Sequence, residues 1–284
     1  MFGTGTWSYN GINWLSDPAY FFAAWDEVYA LIKGKMPDAR IAGPNTSVLY
    51  DQVQGFMRHT VAAGTVPEVI TWHELSNPAQ VRSSVARYRG WEAAIFNGTA
   101  YQGRQLPINI NEYAFNYHTS VPGQMIQWVS AIEESKVDAD IAYWNIDGNL
   151  SDSAVQANRA NGQWWLLNAY GQMTGRTVQV TPPQPNVSYT LQGVATLDAA
   201  KSQARALFGG TSGAAHVQFR NIDREVFGQQ VHALIQEIPW TGQLGDSGQP
   251  EVVAELDLPV ADGAVGVDFG SALPGLKESS AYQI

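Results

Sequence analysis

The chain has 284 residues and a formal net charge of −10, enough length for a large core in two domains and the wrong sign for a nucleic-acid-binding face. It contains no cysteine, so disulfides, thiolate metal sites and cysteine nucleophiles are excluded together. No apolar run approaches the ~20 residues of a membrane span, and MFGTGTWSYN holds no basic region followed by an apolar one, so no signal peptide is expected here.

Residues 1–16 read as loop. Asp17 and Pro18 start a helix, an acceptor at the cap and proline in the first turn. Phe21, Phe22, Trp25, Val28, Tyr29 and Ile32 then recur at helical spacing, and Gly34 and Pro37 end the run. A short strand, Ala39–Ala42, is expected to close at Gly43 and Pro44. The next helix runs from about Val48 to Ala63, with Gly64 behind it. A second strand, Glu68–His73, runs into Glu74. Asn77 and Pro78 cap a third helix carrying Val81, Val85, Tyr88 and Ile95. The third strand is Leu106–Tyr113, and a helix with Met125, Ile126, Val129 and Ile132 in register follows Pro122. A fourth strand, Ala139–Ile146, ends in Asp147, and a last helix spans about Gln163–Met173.

Strands alternating with helices imply βα units and a parallel sheet. Two architectures fit, a doubly wound open sheet and a (β/α)8 barrel, which needs about 250 residues. Only about 175 residues precede the Pro-rich stretch TVQVTPPQP, so a barrel would be present only as its C-terminal half. Beyond that stretch, Val187–Leu197, Ser202–Phe208, Ala215–Arg220, Gln230–Ile238 and Val252–Leu258 are separated by Gly-rich turns, with a last strand at Ala281–Ile284. Short strands at this spacing read as an antiparallel β-sandwich. The expected domains are therefore 1–176, α/β, and 177–284, a sandwich.

Chemistry concentrates at strand ends. In LPININEYAF, Leu106–Phe115, the period-two pattern delivers Asn111, Glu112 and Tyr113 at the carboxyl end of a strand. Ligands bind at that end in α/β folds. Glu74 in TWHE and Asp147 in WNID end two further strands, with Trp72, His73 and Trp144 beside them. Carboxylates converging among aromatics suit glycoside hydrolysis, in which one acid protonates the leaving oxygen and a second carboxylate attacks or activates water. The abundance of aromatics, 10 Trp and 12 Tyr, fits stacking on sugar rings, although core packing accounts for most of them. There is no G-x-S-x-G elbow and no phosphate-binding G-x-x-x-x-G-K-[ST]. The five histidines, His59, His73, His118, His216 and His232, lack metal-ligand spacing, so neither metal nor cofactor is expected.

Residues 17–284 resemble the retaining (β/α)8 glycoside hydrolases whose acid/base stands on the fourth strand and nucleophile on the seventh. Within that clan they look most like family thirty-nine and its β-xylosidase-like and arabinofuranosidase-like relatives. The resemblance is carried by DPAYFFAAWDEVYALIK, PDARIAGP, VITWHEL, LPININEY, DADIAYWNIDGNLSD and NGQWWLLNAYG, and by the sandwich that follows. It implies that Glu112 is the nucleophile, flanked by Asn111 and Tyr113. It implies that His73 hydrogen-bonds the nucleophile or the sugar, and that Trp144 floors the sugar site. The clan's Asn-Glu acid/base pair should lie just before Asp17, yet residues 1–16 contain no carboxylate. Either that glutamate belongs to a missing N-terminal barrel half, or Glu74 has taken the acid role. The substrate class implied is an oligosaccharide or glycoside containing pentoses. A non-catalytic carbohydrate-binding or structural half-barrel is the competing reading. Open sheet edges in a half-barrel invite association, so a homodimer or the missing half is the expected partner. The full-length protein is expected to be extracytoplasmic or secreted.

Overall fold

The computed structural model describes residues 17–142, 160–242 and 247–284. They fall into two compact units. The first, the described part of Met1–Tyr113 with Glu134–Ala142, is built on a parallel sheet. Strands β1 (Ala42–Thr46), β2 (Val69–Glu74), β3 (Ile108–Tyr113) and β4 (Asp138–Ile141) lie side by side in that order. Helices α1 (Pro18–Lys35), α2 (Gln52–Ala63) and α3 (Pro78–Phe96) alternate with them along the chain, as the spacing predicts.

The central strands supply the core. Ile70, Trp72, Ile108 and Ile110 are buried, and the Trp72 ring lies 5.6 Å from that of Tyr88 on α3. Asn77 caps α3, its Oδ1 accepting from the Gln80 amide at 3.1 Å. Asp17 occupies the matching position before α1 but makes no side-chain cap bond, so Pro18 alone marks that start. β1 begins three residues later than expected, with Gly43 and Pro44 inside it rather than after it. Its backbone passes so close to α1 that a Cβ on Gly43 would sit 2.6 Å from the Trp25 ring. Proline is tolerated there because β1 is an edge strand among the described residues. β4 spans Asp138–Ile141, Ala142 after it donates its amide to Tyr113 O at 2.8 Å, and residues 143–146 of the expected fourth strand lie outside the described residues.

The second unit comprises Ala114–Glu133 and the described part of Tyr143–Ile284. It contains most of α4 (Pro122–Ser135), then α5 (Gly162–Gly171) and two antiparallel sheets. The larger sheet has the order β10-β9-β12-β7-β6-β5 and the smaller pairs β11 with β8. The members are β5 (Arg176–Val178), β6 (Gln192–Asp198), β7 (Gln203–Gly209), β8 (Ala215–Arg220), β9 (Gln230–Ile238), β10 (Glu251–Pro259), β11 (Ala264–Phe269) and β12 (Ala281–Gln283). Phe208, Ile235, Val267, Phe269 and Tyr282 form their common core. Two expectations change. The start of the Pro-rich stretch is not all linker, because Arg176–Val178 pairs with Leu197–Ala195 as an edge strand. The segment read as a Gly-rich turn, ADGAVG, opens into β11, whose Val265, Val267 and Phe269 alternate inward.

β12 is short. It pairs with Leu207–Gly209 of β7 on one side and Gln236–Ile238 of β9 on the other. Ile284 adds two backbone bonds to Ala206. Past that point, Gln203, Ala204 and Arg205 face Gln230–Leu234 across a cavity of about 620 Å³.

The first turn of α4 is pinned within this unit. The Gly123 amide donates to Ser279 O at 3.0 Å, and a Cβ on Gly123 would lie 2.1 Å from the Glu278 carbonyl oxygen. Backbone cannot yield as a side-chain tip can. Gly123→Ala is therefore expected to destabilise the unit by about 1–3 kcal/mol. Chemical denaturation checks this, and an unchanged midpoint would contradict the packing. Among the described residues no helix is long and apolar enough to cross a membrane.

Candidate active site

Successive residues of a strand face opposite sides of the sheet, and this sorts the predicted site residues. On β2, Trp72 and Glu74 face α3. Trp72 Nε1 donates to Glu74 Oε1 at 2.6 Å, and Ser84 of α3 hydrogen-bonds the same carboxyl. His73, between them, faces the other way. Its Nδ1 lies 3.2 Å from Glu112 Oε2.

Glu112 and His73 differ in exposure. The Glu112 side chain is 29% exposed and that of His73 1%. Burial raises the Glu112 carboxyl above its ordinary range and lowers the His73 imidazole below its own. The histidine is therefore neutral at pH 7. Nδ1 of His73 lacks an aligned hydrogen-bond partner, despite its short distance from Glu112. A neutral ring carrying its proton on Nδ1 would need only a small rotation to donate to the carboxylate.

Two β-bulges set the surroundings. In β1, Pro44 pairs with Thr71 and Thr46 with Trp72, leaving Asn45 as an extra residue. In β3, Ile110 pairs with Trp72 and Glu112 with His73, leaving Asn111 as the extra residue. Bulges recur next to active sites, where they re-aim side chains. Here the Asn111 amide donates to Asn45 Oδ1, bridging the strands on either side of β2. Asn45 sits at φ 62°, in the left-handed region that asparagine tolerates better than most residues. The sequence pattern does not single it out, because the strand expected there closes at Gly43 and Pro44. Its place directly after Gly-Pro near a strand end was the available signal.

Three expected site residues are placed differently from the prediction. Trp72 is 0% exposed and packs on Tyr88, so it presents no face for a sugar. Tyr113 is also buried, and burial, with the Asp140 charge second, raises its hydroxyl to about 12. Glu74 is 2% exposed. Burial raises its carboxyl to about 7, against the opposing hydrogen bonds of Ser84 and Trp72 and the Arg87 charge. It borders a separate cavity of about 540 Å³ with Leu49, Tyr50, Asp51, Ser84 and Arg87. The structure thus brings together Glu112, His73 and Asn111, and adds Asn45. Trp144 and Asp147 lie outside the described residues. Among the described residues no three His, Asp or Glu side chains are grouped to hold a metal ion.

No protein-family model matches the chain. It is 36% identical over 295 residues to a 3-O-α-D-galactosyl-α-L-arabinofuranosidase of Bifidobacterium longum subsp. longum, covering 93% of this chain and 25% of that protein. It is 34% identical over 281 residues to a 3-O-β-L-arabinopyranosyl-α-L-arabinofuranosidase of Bifidobacterium pseudocatenulatum, covering 87% and 28%. The chain is a homologue of glycosidases. It spans about a quarter of the length of these curated relatives.

Among solved structures, N2152 of Neocallimastix frontalis superposes with a TM-score of 0.84 at 28% identity, over 98% of this chain and 68% of that one. A glucosidase from Croceicoccus marinus gives 0.65 at 11%, over 99% and 67%. An α-L-arabinofuranosidase from Thermotoga maritima gives 0.58 at 11%, over 93% and 61%. At such low identity the last two speak for the fold alone, and that fold is shared with glycoside hydrolases.

Proposed function

We propose that the chain is part of a retaining glycoside hydrolase acting from the ends of pentose-containing glycans, with arabinofuranosides as the first substrates to test. The observation that carries this reading is Glu112, half-exposed at the carboxyl end of a central parallel strand and held against a buried, neutral His73. The names of the curated relatives support the substrate class. In this reading the Glu112 carboxylate attacks the anomeric carbon as the protonated aglycone leaves. Water then cleaves the glycosyl ester, restoring the configuration.

The second carboxylate of a retaining pair stands about 5–5.5 Å away. Glu74 faces α3, on the other side of β2 from Glu112, so we assign the acid/base to chain outside the described residues. The same residues complete a (β/α)8 barrel around β1 to β4, with 1–176 as the catalytic part and 177–284 as the accessory sandwich. Within the clan, the strand-end set favours the family-thirty-nine-like enzymes. No cofactor enters such a mechanism.

A 2,4-dinitrophenyl 2-deoxy-2-fluoro-arabinofuranoside tests the assignment. Dinitrophenolate leaves without protonation, so labelling depends on the nucleophile and not on the acid. The expected result is one fluoroarabinosyl group per chain, esterified to Glu112 in the peptide map. A label on another carboxylate would remove Glu112 from the role, and no label would remove the retaining reading.

A further inference from the structure

The bulge at Asn111 decides which way Glu112 points. Up to Ile110 the register is regular, with Ile70 opposite Ile108, Thr71 opposite Asn109 and Trp72 opposite Ile110. Continued unbroken, it would put residue 111 opposite His73 and Glu112 opposite Glu74. Glu112 would then face α3, with Trp72 and Glu74. A single extra residue flips the side-chain parity of everything after it. The observed pairing of Glu112 with His73 is that flip. The β3–β4 ladder contains the same insertion, three steps from Ile110 to Tyr113 against two from Ala139 to Ile141. Whatever holds Asn111 in its bulge therefore holds Glu112 on its working face.

Asn45 is placed to do this. It is the extra residue of the β1 bulge, on the far side of β2 and one residue step earlier along it, between the partners Thr71 and Trp72 where the β3 bulge falls between Trp72 and His73. Its Oδ1 accepts the Asn111 side-chain amide across 66 positions of sequence. The other Asn111 amide atom, Oδ1, is buried and makes no hydrogen bond. Among the described side chains, the bridge to Asn45 is thus the hydrogen bond that anchors the bulged residue. We infer that Asn45 is a positioning residue for Glu112, its amide locking the β3 bulge that turns the nucleophile toward His73. The inference rests on Glu112 being the nucleophile, but the lock itself is a property of the fold.

Asn45→Gly tests it, because glycine accepts φ 62° without backbone strain and deletes only the side chain. On an aryl arabinofuranoside with an activated leaving group, kcat is expected to fall on the order of 10²-fold, as for an ångström-scale misplacement of a reacting group. KM should change by less than about threefold, since the bridge is not a sugar contact. In an Asn111→Ala background, Asn45→Gly should cost nothing further, because both changes break one bridge. Wild-type kcat in Asn45→Gly, or losses that multiply in the double variant, would overturn the inference.

A second readout needs no turnover. The ¹³C carboxyl resonance of Glu112, followed through its titration, should move its midpoint and lose its single sharp line in Asn45→Gly. An unchanged titration would overturn the lock even if the chain hydrolyses nothing. Absence of turnover in the wild type, with a changed titration in the variant, would instead count against the glycosidase reading alone.

Discussion

Replacing Glu112 by Gln is expected to lower the turnover of aryl arabinofuranosides by on the order of 10⁴-fold or more, the scale seen when a covalent nucleophile is removed. Glutamine keeps the shape of the side chain but carries no charge and cannot form the glycosyl ester. The fold should survive, because the carboxylate is half-exposed and faces a neutral histidine. Initial rates on the purified variant and wild type decide the matter, and a rate near wild type would dismiss Glu112 as nucleophile. A companion variant sharpens the result. Glu112→Ala opens space for azide, which should restore turnover and yield a glycosyl azide of inverted configuration. Rescue with that stereochemistry requires a nucleophile to have been lost from the face opposite the leaving group.

The second large effect concerns Glu74 and stability. Its carboxyl titrates near its ordinary value of 4.5 when the chain is unfolded and at about 7 when folded, with burial as the leading cause. Between those two pH values the folded state holds a proton that the unfolded state has released. Stability is therefore fully present below about pH 4.5 and is lost as pH rises through about 7. The linked loss is about 3 kcal/mol. Glu74→Gln keeps an amide oxygen to accept from Trp72 Nε1 and has no proton to lose. Relative to wild type, the variant should gain little at pH 4.5 and about 3 kcal/mol at pH 8. Denaturant unfolding at the two pH values measures this, and an equal gain at both would show that burial does not hold the proton. The same variant separates the two assignments of the acid. If Glu74→Gln kept its rate on dinitrophenyl substrates but lost it on those with poor leaving groups, Glu74 would be restored as the proton donor.

The alternation of strands and helices was legible in the chain because each element carries its own period and its own cap, Asn77 before α3 being the plainest case. The placement of the site was less so. Asn109 and Asn111 look equivalent in LPININEY, yet Asn109 bonds Asp140 while Asn111 reaches Asn45. A bulge adds no distinctive residue, and its register exists only once neighbouring strands are paired. Trp72 illustrates the same limit. A tryptophan near a strand end reads alike whether it meets a sugar or a helix, and only the packing of Tyr88 decides. β1 was misplaced because Gly-Pro ordinarily ends a strand, whereas here the glycine makes room for Trp25. β11 was hidden by the glycines around it, although its inward residues alternate in plain view.

The shortness of β12 has a mechanical side. The larger antiparallel sheet is two ribbons, β5-β6-β7 and β9-β10, fastened by one strand of three residues and the bonds of Ile284. Each ribbon is stitched along its length, from Gln192 to Asp198 in one and from Gln230 to Glu237 in the other. In hydrogen bonds the join at Ala281–Ile284 is slight beside those ladders, and the packing of buried Tyr282 against Phe208 and Phe269 supplies the rest of its hold. The cohesion of the sheet is thus governed by its narrowest member, at its centre rather than at its rim.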